Sequence, residues 1–421
     1  MSTGLKLAVT QSGTSSSLGV ARPWESSATY WPSLTQATVD LPAPVATIDI
    51  DALAYNANDL LLRSQGVPIR VASKSIRVRE VLNATLALPG YAGVLAFTLS
   101  EALWLAGPGG IDDVVLGYPT ADRAAIEQLC ADEQLASRIT LMVDDPSQLD
   151  LVDSVKPPGS RPTIRLAIDA DASWRAPKPL GHIGVRRSPL YSPREVEWFA
   201  RQVMKRDGFA LVGLMMYEAQ IAGQGDATGL SDPMIRWVQR HSGDELLERR
   251  GAIVRAVKSI TELEFVNGGG TGSLEYTSGD LSVTEVTAGS GLLAGHLFDG
   301  YQSFTPAPAA AFALDVVRKP LPEIATVLGG GWIASGPALK SRLPKPVWPD
   351  ELKMLSREGA GEVQTPLRGN QAKRLKVGDR IWFRHCKSGE LAERVNSYHL
   401  VSDGAVTGEA LTYRGEGKAF L

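Results

Sequence analysis

From residue 44 onward the hydrophobic and polar positions follow two alternating textures. Short runs that are apolar at every second position, or throughout, predict strands, and stretches with apolar residues three and four apart predict helices. Strand-like runs fall at 45–50, 69–73, 93–96, 113–117, 139–143, 163–169, 211–217, 264–267 and 283–287, and helical stretches at 51–62, 78–88, 99–106, 121–135, 192–205 and 244–257. Asp51 is the expected cap of the first of these helices. Roughly eight strands separated by helices over about 250 residues have the size of a (β/α)8 barrel. A doubly wound open sheet alternates in the same way, but its glycine fingerprint follows the first strand, and here the glycines cluster near the last.

After residue 306 the texture changes. Runs at 312–318, 324–328, 361–364, 379–383, 398–401 and 405–412 are short and broken by Gly, Pro and Asp-Gly, and the stretch 375–380 is a turn leading into a strand. The expected architecture is therefore α/β, a (β/α)8 TIM-like barrel followed by a mostly β C-terminal domain. Residues 1–43 form an N-terminal arm, 44–306 the barrel and 307–421 the β domain. Within the arm, the Ser, Thr and Gly of 11–17 predict a mobile stretch, whereas Trp24, Tyr30 and Trp31 predict packing against a folded body.

Composition narrows the function classes. The chain has 421 residues, 44% of them hydrophobic, and a net charge of −3, so it can bury a large core and has no basic excess to attract nucleic acid. No apolar stretch is long enough for a membrane span, and the start does not read as a secretory signal. Two cysteines, Cys130 and Cys386, are too few for a disulfide framework. A reducing, cytoplasmic setting is expected.

Two stretches carry candidate chemistry. Lys74 follows the alternating run Ile69-Arg70-Val71-Ala72-Ser73, which places its amine at the C-terminal end of a strand, the end of a (β/α)8 barrel where reactions occur. The second stretch is Asn267-Gly268-Gly269-Gly270-Thr271-Gly272-Ser273. Its glycines let backbone N–H groups and the hydroxyls of Thr271 and Ser273 approach an anion. The following loop offers Gly289 and Ser290, and loops after the last two barrel strands commonly grip phosphate. An imine-forming lysine at one side and an anion cradle at the other is the layout that pyridoxal 5'-phosphate requires.

With these motifs, residues 44–77, 211–220, 268–273 and 284–301 resemble the fold-type III pyridoxal phosphate enzymes with an alanine-racemase-like barrel, and within them the D-threonine aldolase and D-serine dehydratase branch, including bacterial amino acid deaminase/aldolase proteins. The resemblance spans residues 30–421. It implies that Lys74 holds the cofactor as an aldimine, that Gly269, Gly270, Thr271 and Gly272 with Gly289 and Ser290 grip its phosphate, and that Tyr217 lies beside it. Where the family has Arg-x-Gly-Val near the pyridine nitrogen, this chain has His182-Ile183-Gly184-Val185-Arg186, which leaves His182 and Arg186 both open for that place.

The resemblance also implies a divalent ion in the β domain, held by a histidine and a second ligand two residues on. His385 matches the histidine, Lys387 stands at the second position, and Glu390, Glu393 or His399 would have to complete such a site. A metal-free site with His385 as an acid, a base or a substrate contact is the favoured alternative. The implied activity is that of a lyase on a small D-β-hydroxy amino acid, by retro-aldol cleavage or by dehydration and deamination. The implied assembly is a homodimer whose β domains complete each other's sites. Two other functions stay open: a racemase, with Tyr398 or Tyr413 as the opposing base, and a non-catalytic pyridoxal phosphate carrier.

Overall fold

The strand runs from residue 69 onward close into a parallel barrel in the computed structural model, which describes residues 5–8, 22–387 and 389–421. Numbered along the chain, the strands are β1 (Val45–Asp49), β2 (Ile69–Ala72), β3 (Tyr91–Ala96), β4 (Val114–Leu116), β5 (Ile139–Val143), β6 (Ile164–Asp169), β7 (Trp174–Arg175), β8 (His182–Ile183), β9 (Phe209–Met216), β10 (Phe265–Gly268) and β11 (Glu285–Ala288). The barrel consists of β2 to β6 and β9 to β11, and β11 pairs with β2 to close it. The expected (β/α)8 architecture is thus present. The run 45–50, read as part of the barrel segment, forms a strand but pairs with C-terminal strands instead.

The chain divides into two compact units. One comprises Leu60–Lys74, Leu86–Gly289 and Phe420–Leu421 and contains every barrel strand. Its apolar interior includes Val115, Met142, Ala167, Met215 and Phe265. Alternation along β2 gives Ile69 and Val71 wholly buried positions and turns Arg70 the other way, over the Phe265 ring. That buried guanidinium is matched by charge: it donates to Glu285 at 2.7 and 2.8 Å and to Asp113 at 2.9 Å. Helix starts follow local capping chemistry. Ser192 and Glu195 form a capping box at Pro193–Met204, and Asp145 and Gln148 form one at Pro146–Val155. The helix expected at 244–257 is longer, Asp232–Lys258: its first turns carry Met234, Ile235, Trp237 and Val238 at helical spacing, and the polar stretch 239–243 separates them from the apolar period that begins at 244.

The other unit comprises Met1–Asp59, Ser75–Thr85 and Ser290–Ala419. Its further strands are β12 (Ala310–Leu321), β13 (Ile324–Leu328), β14 (Lys345–Trp348), β15 (Lys353–Met354), β16 (Gln364–Arg368), β17 (Arg380–Arg384), β18 (Ser397–Ser402) and β19 (Ala405–Leu411). They form one sheet in the order β15-β16-β13-β12-β1-β18-β19, with β17 pairing β12 and β14. The mostly β character expected of the C-terminal region is present. Tyr30 and Trp31 are buried against Val45, Ala311, Ala313, Trp382 and Val401, with Trp24 partly buried beside them, as their apolar bulk demands. The stretch 11–17 lies outside the described residues. The helix Ile50–Arg63 is capped by Asp49, whose Oδ1 accepts from the Ala52 amide at 2.9 Å, and not by Asp51.

Candidate active site at the barrel mouth

In the barrel unit, side chains at the C-terminal ends of the strands form a continuous line of contacts. Lys74 lies in the 3-10 turn Ser73–Ser75 directly after β2, half-buried, and its Nζ donates to the Tyr118 hydroxyl at 2.8 Å. Tyr118 follows β4. The Arg187 guanidinium lies 5.5 Å from the centre of the Tyr118 ring and 5.5 Å from that of Tyr217, which follows β9. Tyr217 in turn borders the glycine loop, since a Cβ at Gly270 would come 3.2 Å from its Cε2. Burial pushes the Tyr217 phenol up to about 12, with the Arg187 charge opposing, so this hydroxyl keeps its proton at physiological pH.

The loop 268–273 follows β10, and its conformation is set from beneath. Gly269 has a φ of +81°, and a Cβ there would meet the Thr277 hydroxyl at 3.1 Å. The Gly269 amide donates to Glu218 Oε2 at 3.1 Å and the Gly270 amide to Ser273 Oγ at 3.1 Å. Ser273 Oγ itself donates to Glu218 Oε1 at 3.1 Å, and Thr277 donates to the same oxygen. The Ser273 hydroxyl, read as an anion ligand, is therefore part of the loop's internal support. Glu218 pairs with Arg250, and Arg250 with Asp280, at 3.0 and 2.9 Å, all three being 2% exposed or less. On the neighbouring strand, Gly289 is packed so closely that a Cβ would lie 2.5 Å from the Ala72 carbonyl oxygen. Ser290 opens the short helix Ser290–Leu293 and belongs to the other unit.

The segment after β6 folds into the hairpin β7–β8, where Trp174 pairs with Ile183 and Arg175 with His182. His182 Nε2 lies 3.2 Å from the Val185 carbonyl, and Arg186 is exposed. The arginine that lies over both tyrosines is Arg187, which the sequence reading did not single out. Tyr118, Glu218 and Arg250 were missed as well.

Asp169 ends β6. Burial raises its carboxyl from 3.8 to about 7, with Asp144 and Asp171 adding to the rise and Arg187 opposing it. The folded state therefore holds this proton more tightly than the unfolded chain. That contribution to stability is complete below about pH 4 and is lost as the pH climbs to about 7, at about 1.4 kcal/mol per pH unit. Asp169→Asn keeps a neutral side chain throughout. In thermal melts its stability relative to wild type is expected to be higher at pH 8 than at pH 4.

His385 lies in the other unit, just after β17. Complete burial pushes its imidazole down to about 4, with Glu390 opposing, and neither ring nitrogen makes a well-formed hydrogen bond. The surrounding donors do not fit a divalent ion. Burial holds the Cys386 thiol up at about 11, and it donates to the Ser341 carbonyl. Lys387 is a cation whose backbone N–H binds Glu390 at 2.7 Å, and Glu393 pairs with Arg77. Among the described residues no group of three His, Cys, Asp or Glu side chains could hold a metal ion.

No family model matches the chain. It is 27% identical over 254 residues to a 3-hydroxy-D-aspartate aldolase of Paracoccus denitrificans, the match covering 60% of each chain. A second such aldolase, from strain Pd 1222, is 25% identical over 265 residues, again covering 60% of each. The chain thus spans about three fifths of the length of the curated relatives it matches. Among solved structures, D-threonine aldolase from Filomicrobium marinum superimposes with a TM-score of 0.72 at 19% identity, covering 89% of this chain and 96% of that one. D-threo-3-hydroxyaspartate dehydratase from Delftia sp. HT23 gives 0.68 at 18%, covering 89% and 98%. Alanine racemase from Bacillus anthracis gives 0.58 at 15%, covering 89% and 98%. These structures show that the chain has the alanine-racemase-like fold.

Proposed function

We propose that this protein is a pyridoxal 5'-phosphate-dependent lyase that cleaves or dehydrates a small D-β-hydroxy amino acid, with Lys74 as the residue that carries the cofactor. The supporting observation is the unbroken line of contacts at the barrel mouth from the Lys74 amine through Tyr118, Arg187 and Tyr217 to the glycine loop. The residues fit the group: one end of the line is a primary amine, and the other a turn of small residues that a backbone-bound anion can approach closely. The aldolase relatives and the fold agree with this reading.

Bound there, the cofactor would supply a conjugated ring that draws electrons from a bond broken at the substrate's α-carbon. The chain's own residues do the rest. Lys74 Nζ would form the covalent link and, once displaced by the substrate amine, take up or return a proton at the reacting centre. Tyr118 accepts a hydrogen bond from that amine and fixes its direction. Tyr217, protonated at working pH, acts as a donor, and Arg187 keeps a positive charge between the two rings. With the Gly269 and Gly270 amides turned inward, the anion would be met by the backbone at 271 and 272 and by that at Gly289. No step is assigned to a metal at His385, whose neighbours do not form a ligand set.

The same reading carries a homodimer in which each β unit completes its partner's site, and a cytoplasmic setting. No described helix is long and apolar enough to cross a membrane. The test is product analysis of the cofactor-loaded protein on D- and L-β-hydroxy amino acids, with sedimentation to give the assembly state. Aldehyde plus amino acid, or keto acid plus ammonia, from the D-isomer is the expected result. Inversion without cleavage would make the protein a racemase, and no turnover of any isomer would overturn the proposal.

A further inference from the structure

The glycine loop is held on a second side, by a residue that the support beneath it does not include. Arg63 closes the helix Ile50–Arg63 and lies in the same compact unit as the loop, its side chain only 7% exposed. Its Nη2 donates to the Thr271 carbonyl at 2.7 Å, and its Nε and Nη2 donate to the two carboxylate oxygens of Glu275 at 2.5 and 3.0 Å. One planar guanidinium thereby ties the loop to the short helix that follows it, Leu274–Ser278.

The loop's amides divide by what they meet. Those of Gly269 and Gly270 turn to Glu218 and Ser273, and that of Ser273 donates to the Gly270 carbonyl at 2.9 Å. Among the described residues the half-buried Gly272 amide meets no hydrogen-bond acceptor. The Thr271 carbonyl and the Gly272 N–H belong to one planar trans peptide, so they point in opposite directions. With the carbonyl fixed on Arg63, the N–H is turned away from that guanidinium and left for an outside acceptor. Glu275 matches the charge of Arg63, so what the pair gives the loop is direction more than net charge.

We propose that Arg63 is a positioning residue of the anion site: its bond to the Thr271 carbonyl presents the Gly272 amide to the cofactor's phosphate. The inference rests on the lyase reading for the identity of the anion and on the loop's own hydrogen bonds for the role of Arg63. Without the guanidinium the 271–272 peptide loses the donor that sets its direction, and an amide that must first be oriented holds an anion less tightly than one already fixed. Arg63 acts here through the backbone and needs no contact with the cofactor itself.

The test compares pyridoxal 5'-phosphate with pyridoxal, which carries the same aldehyde and no phosphate, by absorbance titration of wild type, Arg63→Met and Glu275→Gln. Arg63→Met is expected to bind the phosphate ester about tenfold more weakly, with its affinity for pyridoxal nearly unchanged. Glu275→Gln keeps the donor to Thr271 and should keep the wild-type ratio of the two affinities. Equal losses for both aldehydes in Arg63→Met would make the residue merely structural and overturn the proposal. An undiminished affinity for the phosphate ester, or the same selective loss in Glu275→Gln, would overturn it too. If Arg63→Met melts below the assay temperature, Arg63→Lys decides on the same criteria, since it keeps the charge beside Glu275 without the fork that also reaches the carbonyl. Should wild type bind neither aldehyde, the lyase reading fails by itself, and Arg63 is judged by calorimetry with inorganic phosphate. Binding that Arg63→Met loses supports its role, and absent or unchanged binding overturns it.

Discussion

Lys74→Ala is expected to abolish both the yellow colour of the pyridoxal phosphate-loaded protein and its turnover of β-hydroxy amino acids, the rate falling by on the order of 10³-fold or more. The amine is the first member of the contact line, half-buried and directed at the Tyr118 hydroxyl. Removing it deletes the covalent link and the proton carrier at once, which is why the loss should exceed that from any single hydrogen-bonding neighbour. Absorbance spectra of dialysed protein, together with borohydride reduction and mass spectrometry of the Lys74 peptide, check the result directly. A variant that keeps its colour after dialysis and retains turnover would show that the cofactor is carried elsewhere, and the assignment of Tyr118 and Arg187 to its site would fall with it. Loss of turnover with colour retained would leave the amine a role in proton transfer and would remove the proposed link.

The barrel was legible because its strands are mostly buried and its helices amphipathic, two periods that differ at sight. The run at 45–50 carries the same apolar signal as a barrel strand, and nothing local to it records that its partners are Ala310–Ala313 and His399–Val401, some 260 or more residues away. β14 and β15 were not anticipated for a different reason: each is short, and Lys345-Pro346 and Lys353 interrupt any alternation. The glycine loop and Lys74 stood out because their composition is unusual for the strand ends they occupy. Tyr118 had the same positional signal, following the run 113–117, but a lone tyrosine beside a proline carries no chemistry until the lysine is seen to donate to it. Arg187 differs from its neighbour Arg186 only in direction, and which of two adjacent arginines faces the tyrosines is decided by the hairpin that precedes them, a tertiary feature. Ser273 shows the converse. Its type suggested an anion ligand, yet a buried carboxylate 55 residues away in sequence claims its hydroxyl.

That carboxylate makes Arg250 the side chain whose loss should most damage the fold of the site. Its guanidinium is wholly buried between Glu218 at 3.0 Å and Asp280 at 2.9 Å, and Glu218 in turn holds the Gly269 amide and the Ser273 and Thr277 hydroxyls. Arg250→Met fills a similar volume but leaves two carboxylates in the interior without a cation, a situation that typically costs about 3–5 kcal/mol. The loss should reach the glycine loop through Glu218, so the variant is expected to melt at lower temperature and to bind pyridoxal phosphate more weakly than wild type. Adding Glu218→Gln to Arg250→Met removes one of the stranded charges and keeps hydrogen-bonding capacity at the loop, so the double variant should regain part of the stability that the single variant loses. Denaturant titrations of wild type, Arg250→Met, Glu218→Gln and the double variant, combined with fluorescence titration of the cofactor, close the cycle. Additive losses would show that Arg250 and Glu218 do not act as a unit, and cofactor affinity unchanged in Arg250→Met would show that the conformation of the loop does not depend on the charges beneath it.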